Sequence, residues 1–256
     1  MMKIGVVGVP PQEILNGYTD RGNTFIDLDE PISDIPISVS ESCLPRVFCA
    51  ILRTIAANAI SLDLDLLIAG VGECKCDGMR YVASILKDIV RYPIIETRNM
   101  EMERRGNPIS TSSLPLIRKV ELITSSVIRD ISCDEEMSIF YAEPVAGYWG
   151  VPPYNFSILE LFPDYTHVYG WTRCMENKTP ADLQLEMEVD DNMPIVFYAQ
   201  TFCQKNGLAR YLASRYNGLY VEVDERMNSS TRSKIEAFLE FRVKEYDSIR
   251  CGNKLF

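Results

Sequence analysis

Leu66-Leu67-Ile68-Ala69-Gly70-Val71-Gly72-Glu73-Cys74-Lys75-Cys76-Asp77-Gly78 is the stretch whose reading decides the fold. An unbroken apolar run ends in glycines, and a polar turn with two cysteines follows. Beyond it Met79, Val82, Ile85, Leu86 and Ile89 recur at helical spacing. A strand apolar on both faces that runs through a turn into a helix is the repeating unit of a parallel, helix-covered sheet. Working outward, Lys3–Val7 and Pro93–Glu96 read as companion strands. A helix is expected over about residues 45–59, with Val47, Ile51, Ile55 and Asn58 as its stripe, and another over about 78–90.

The polar stretch 104–113, with Gly106, Pro108, Ser110, Thr111, Ser112 and Ser113, is the best break in the chain. A linking helix over about 114–129 should follow. The same alternation then restarts, with a strand at Met137–Ala142, a short helix near 156–162, and strands at His167–Gly170, Ile195–Ala199 and Leu219–Val223. Helices near 207–215 and 230–246 complete the second half, the last carrying Ile235, Phe238, Leu239, Val243 and Tyr246 on one face. The expected fold class is therefore α/β: two Rossmann-like lobes with mostly parallel sheets and a cleft between them. The expected divisions are 1–106, a linking region 107–136, and 137–256.

A net charge of −10 without any block of Lys and Arg excludes the phosphate-tracking surface of a nucleic-acid binder. Apolar runs such as Leu66–Val71 fall far short of the roughly 18 residues a membrane span needs. Met1-Met2-Lys3-Ile4 leads straight into a strand, with no room for a signal peptide, so the expected compartment is cytoplasmic. In a reducing cytosol the eight cysteines require an explanation other than disulfides. Cys133 and Cys251 read as small core residues. The single histidine, His167, lies inside a strand pattern and reads as structural, which excludes sites built from several histidines.

Ligands of open α/β sheets collect beyond the carboxyl ends of the strands. That rule selects Cys74 and Cys76 after one strand, Cys203 after another, Cys174 after a third, and Cys43 ahead of the helix expected from Pro45. Cysteines gathered at loops, without paired Cys-x-x-Cys units or several histidines, suit iron–sulfur ligation better than structural zinc. In the same zone Glu13 and Glu143 are candidate general acids or bases, with solvated carboxylates as the bland alternative. Arg173 is a candidate contact for an anionic substrate, a surface ion pair being the alternative. Trp171 and the Gly/Pro/aromatic loop Glu143–Tyr154 could wall a small ligand.

Val9-Pro10-Pro11-Gln12-Glu13-Ile14-Leu15-Asn16-Gly17, then Ser42-Cys43-Leu44-Pro45, then Cys76-Asp77-Gly78-Met79-Arg80 resemble the 2-hydroxyacyl-CoA dehydratase and benzoyl-CoA reductase family. Phe202-Cys203, Glu222-Val223-Asp224 and Thr231–Phe238 extend the resemblance in the same order. It implies a [4Fe–4S] cluster on Cys43, Cys76 and Cys203, with Cys74 the nearest candidate for a fourth ligand. It also implies low-potential one-electron reduction or dehydration of a small molecule, by an iron–sulfur reductase or dehydratase of anaerobic metabolism. The implied partners are an ATP-hydrolysing activator protein and a homologous subunit or second copy. The chain departs from the pattern in its short length, in Gln204 after Cys203, and in the additional Cys49, Cys74 and Cys174. Two other readings stay open: a non-catalytic cluster carrier or maturation protein, and a metal-free Rossmann-type transferase. The transferase is disfavoured by Gly5-Val6-Val7-Gly8-Val9-Pro10, which stands where Gly-x-Gly-x-x-Gly would be.

Overall fold

The computed structural model describes residues 1–19, 22–128, 139–180 and 182–252, the last of these without side chains from 247 onward. The chain divides into two compact units, each an α/β sandwich around one parallel sheet.

The first unit comprises Met1–Arg104, Ser125–Asp130 and Asn177–Asp182. Its strands are β1 (Lys3–Val7), β2 (Thr24–Asp27), β3 (Leu66–Gly70) and β4 (Ile94–Thr97), all parallel in the order β2-β1-β3-β4. β3 is buried at every residue, as its apolar run requires of an inner parallel strand, whereas β2 and β4 at the edges are only partly covered. Helix α1 (Gln12–Thr19) starts just after Pro10-Pro11, with Glu13 in its first turn. Helices α2 (Ala50–Ser61) and α3 (Asp77–Ile89) make the next two crossovers. Ile4, Val6, Leu15, Leu66 and Ile68 form one apolar cluster. The late segments are bonded into this unit. Lys178 Nζ donates to Ser126 O and Oγ at 2.5 and 2.9 Å, Asn99 Nδ2 donates to Lys178 O at 3.3 Å, and Arg104 clasps Asp182 at 2.6 and 3.0 Å.

The second unit comprises Arg105–Thr124, Ile131–Glu176 and Leu183–Phe256. It repeats the topology: β5 (Ala146–Trp149), β6 (Thr166–Tyr169), β7 (Ile195–Gln200) and β8 (Leu219–Val223) run parallel in the order β6-β5-β7-β8. Helix α4 (Leu116–Ser125) precedes them; α5 (Trp171–Asn177) and α6 (Leu183–Met187) join β6 to β7; α7 (Asn206–Arg215) and α8 (Ser229–Gly252) flank β8. One face of the sheet packs Trp149, Ile195, Phe197 and Ala199 against Ala209, Leu212 and Ala213 of α7. On Tyr148 of β5, Tyr198 stacks at 5.9 Å and Phe162 sits edge-on at 5.5 Å.

Three expectations are corrected. The helix expected from Pro45 begins at Ala50, the turn and bends of 43–48 running on past the proline. The expected strand Met137–Ala142 is not the first strand of the second sheet. Its start lies outside the described residues, and Tyr141 makes only an antiparallel bridge to Ser112. The inner strand is β5, within the stretch read as a loop. Gly147 hid it from a propensity reading, yet a Cβ there would fall 2.9 Å from Ile195 and 3.1 Å from Tyr169, so this close-packed site demands glycine. The linking helix is shorter than expected, and most of it belongs to the second unit.

Lys119 of α4 is a cation enclosed in an apolar core. Its side chain is wholly buried, Nζ donates to Thr166 O at 2.7 Å, and burial pulls its pKa from 10.5 down to about 8 despite Glu176 nearby. A lysine depressed in the folded state contributes fully above its unfolded pKa and loses that contribution as pH falls through the folded one. Wild-type protein should therefore gain about 3 kcal/mol relative to Lys119→Met between pH 8 and pH 10.5. Urea unfolding of both proteins across that range checks this, and parallel curves would refute it.

Candidate functional site

With strand order β2-β1-β3-β4, the chain leaves β1 toward β2 on one side and returns to β3 on the other. The carboxyl ends of β1 and β3 are thus the switch point where ligands collect in open sheets. The loops leaving these two strands are braced together. Val9 N donates to Cys74 O at 2.9 Å, and Gly8, at φ +70°, lies so close that a Cβ would overlap the Cys74 carbonyl oxygen. Asp29, just past β2, accepts from Gly8 N at 2.7 Å and pairs with Lys75 Nζ at 2.6 Å. Burial pulls the Lys75 ammonium down, but Asp29, with Cys76 and Asp27 adding to it, holds the pKa above the ordinary value. Burial, with Asp29 and Glu30 adding to it, pushes Asp27 well above the usual carboxylate range. In a nucleotide-binding Rossmann unit the loop after the first strand offers its amides to phosphate. Here the Gly8 amide donates to Asp29 and the loop packs against Cys74.

Cys76 stands on this scaffold as the cap of α3, in extended backbone at φ −172° and ψ 165°. Its partly buried thiol is raised chiefly by burial; Lys75 and the amides of Met79 and Gly78 act the other way, and a charge on Cys49 adds to the rise. Met79, Gly78 and Lys75 thus lower the cost of a thiolate, the form in which cysteine binds metals. Cys43 closes the 3₁₀ turn Ile37–Ser42, and its thiol donates to Ser40 O at 3.5 Å. Burial raises its pKa as well. Cys74 differs from both. It is fully buried, donates to Thr97 O at 3.3 Å, and burial lifts it to about 11, so its sulfur ties the ends of β3 and β4. Cys74→Ala should cost about 1–2 kcal/mol in urea unfolding; an unchanged midpoint would refute this structural role of its sulfur.

In the second unit Cys203 occupies the corresponding place, just beyond β7 and ahead of α7. Its amide donates to Gln200 O at 2.9 Å and Phe202 before it takes a left-handed φ of 63°. Cys174 is fully buried in α5. Cys133 lies outside the described residues, as does the side chain of Cys251. Among the described residues, no group of three or more His, Cys, Asp or Glu side chains is placed to hold a metal ion. Cys49 and Cys76 cap α2 and α3 in the first unit, with Lys75 next to the latter.

The remaining candidates fall in several places. Glu13 is exposed on the first turn of α1, at the carboxyl edge of the first sheet. Glu143 precedes β5 and so lies at the amino edge of its sheet, opposite the edge that carries Cys203; the misplaced strand had put it at the wrong end. Arg173 follows β6 at the carboxyl edge, paired with Glu188 at 3.3 Å and lying over the Tyr169 ring at 5.7 Å. Trp171 is covered by Lys205, whose ammonium sits 4.8 Å from its ring and 2.7 Å from Glu186. His167 is buried, its Nε2 is 2.7 Å from Ala142 O, and burial lowers its pKa. The sequence reading missed Lys75 and Asp29, and counted Cys49 among the extra cysteines, one of which could be a fourth ligand.

The structure thus defines an α/β protein with two Rossmann-like parallel sheets of like topology. Among the described residues no helix is long and apolar enough to cross a membrane. No protein-family model matches the chain, and no curated protein matches it. Among solved structures, the laminin-binding protein Lmb of Streptococcus agalactiae, described as a bifunctional protein with adhesin and metal-transporting activity, aligns over 96% of this chain and 100% of its own. The identity is 10% and the TM-score 0.25, a likeness too slight to carry an argument.

Proposed function

We propose that the chain is an iron–sulfur protein holding a [4Fe–4S] cluster through Cys43, Cys76 and Cys203, the ligands that its resemblance to the 2-hydroxyacyl-CoA dehydratase and benzoyl-CoA reductase family implies. The observation that supports this best is the position of Cys76: a partly exposed thiol at a sheet switch point, on braced loops, where Lys75 and two helix-start amides offset part of the burial that raises its pKa. Such a cluster would supply low-potential one-electron chemistry. On this reading the electrons come from an ATP-hydrolysing activator protein and reach a small molecule.

Purification and reconstitution without oxygen test the proposal, with visible absorption and a count of iron and acid-labile sulfide. The expected outcome is a brown protein with about four irons and four sulfides per chain. A colourless chain that takes up neither refutes it. An EPR signal of the reduced cluster that a small substrate perturbs would support catalysis, and a cluster passed readily to an apo-ferredoxin would make the protein a carrier.

A further inference from the structure

We propose that the carboxyl edge of the second sheet, where β5 and β7 part, binds a small neutral molecule carrying an amide, whose carbonyl oxygen is received by Gln200 Nε2. The proposal goes beyond the iron–sulfur reading and does not depend on it. With strand order β6-β5-β7-β8, the chain leaves β5 toward β6 and returns to β7 on the other side, so this edge is the second sheet's own switch point. Gln200, the last residue of β7, is wholly buried there, and its Nε2 has no hydrogen-bond partner among the described residues. An amide nitrogen taken out of water and left unpaired destabilises the fold, and native chains keep such groups where something else pairs with them.

The groups around it are already committed. Tyr198, two residues earlier on the same face, stacks on Tyr148 at 5.9 Å, and the Tyr148 hydroxyl donates to Val151 O at 2.6 Å, which pins the loop leaving β5. Gly150 lets that loop press in: a Cβ there would lie 2.7 Å from Tyr198 O and 3.2 Å from the Tyr148 hydroxyl. In the loop leaving β7, Thr201 N donates to Val223 O and Cys203 N to Gln200 O, at 3.0 and 2.9 Å. The Gln200 carboxamide remains. Its oxygen is met by the Tyr198 hydroxyl at 3.5 Å, the outer limit of a hydrogen bond, and so keeps acceptor capacity beside the donating nitrogen.

A donor and an acceptor side by side in one plane match the C=O and N–H of a primary carboxamide or a cyclic amide, which can pair with both. The tyrosine rings favour a planar molecule. A carboxylate fits worse, because it would be buried without a counter-charge: Lys205 is paired with Glu186 at 2.7 Å and Arg173 with Glu188 at 3.3 Å. The turn that leaves Gln200 holds Phe202 55% exposed at a left-handed φ of 63°, strain of a kind that ligand sites retain.

Nicotinamide and uracil are the probes, titrated against the full chain and followed by ligand-observed NMR. Both should bind, whereas methyl nicotinate, which has the carbonyl without the N–H, and nicotinate, which carries the charge, should bind at least about tenfold more weakly than nicotinamide. Gln200→Met puts an apolar chain of like length in place of the carboxamide. It should keep the urea midpoint or raise it, since an unpaired buried donor is removed, and should abolish binding of both probes. Gln200→Glu, which exchanges the donor for an acceptor, should lose binding as well. The proposal is overturned if neither probe binds, if either variant binds as the wild type does, or if the ester binds as well as the amide. A fall in the Gln200→Met midpoint overturns it too, by showing that the fold itself holds this amide. None of these results bears on iron content, so the cluster stands or falls separately.

Discussion

Gly8→Ala should lower the free energy of unfolding by about 3 kcal/mol or more, combining left-handed strain with overpacking. At φ +70° an alanine pays the left-handed penalty, and its Cβ would overlap the carbonyl oxygen of Cys74. Relief by separating the loops is blocked. They are joined by Val9 N to Cys74 O at 2.9 Å, by Gly8 N to Asp29 at 2.7 Å, and by Lys75 to Asp29 at 2.6 Å. Urea titration should show the midpoint falling with little change in slope. Gly207→Ala is the control: it lies within α7 with no atom within 4 Å of the added Cβ, so it should stabilise by about 0.5–1 kcal/mol. Equal midpoints for the two variants would remove the argument that the switch-point loops form one rigid body.

The second large effect is on metal. Cys76→Ala should reduce reconstituted iron from about four per chain to below about one, with stability changed by less than about 1 kcal/mol, as expected for a partly exposed cap that makes no side-chain capping bond. The selectivity matters: a variant that loses iron and folding together would say nothing about ligation, so unfolding curves accompany the iron and sulfide assays. Undiminished iron in Cys76→Ala would dismiss this thiol from the cluster. Cys43→Ala and Cys203→Ala, treated in the same way, test the other two proposed ligands.

Most of the architecture could be read along the chain because the inner strands β3 and β7 are continuous apolar runs that end in turn residues. β1 and β8 were equally plain. β2 was missed, since Thr24–Asp27 is a partly covered edge strand with little periodicity. β5 was missed because a strand of Ala, Gly, Tyr and Trp flanked by prolines resembles a loop until the packing that requires its glycine is known. The site was legible at the level of strand ends: Cys76 and Cys203 were located by the switch-point rule. What could not be read was which way each sulfur turns. Cys74 and Cys76 are neighbours in a Cys-x-Cys unit, yet one is consumed by a backbone carbonyl and the other caps a helix.

The first unit is not complete in its own stretch of chain. Asp182, which holds Arg104, lies 78 residues downstream of it, and Lys178 with Ser126 bonds into the same body. On a ribosome adding about 5–20 residues per second, the amino-terminal half must therefore wait several seconds, without its last pieces, while most of the second sheet's early strands are still being made. A fragment ending at Arg104 would be born lacking them altogether.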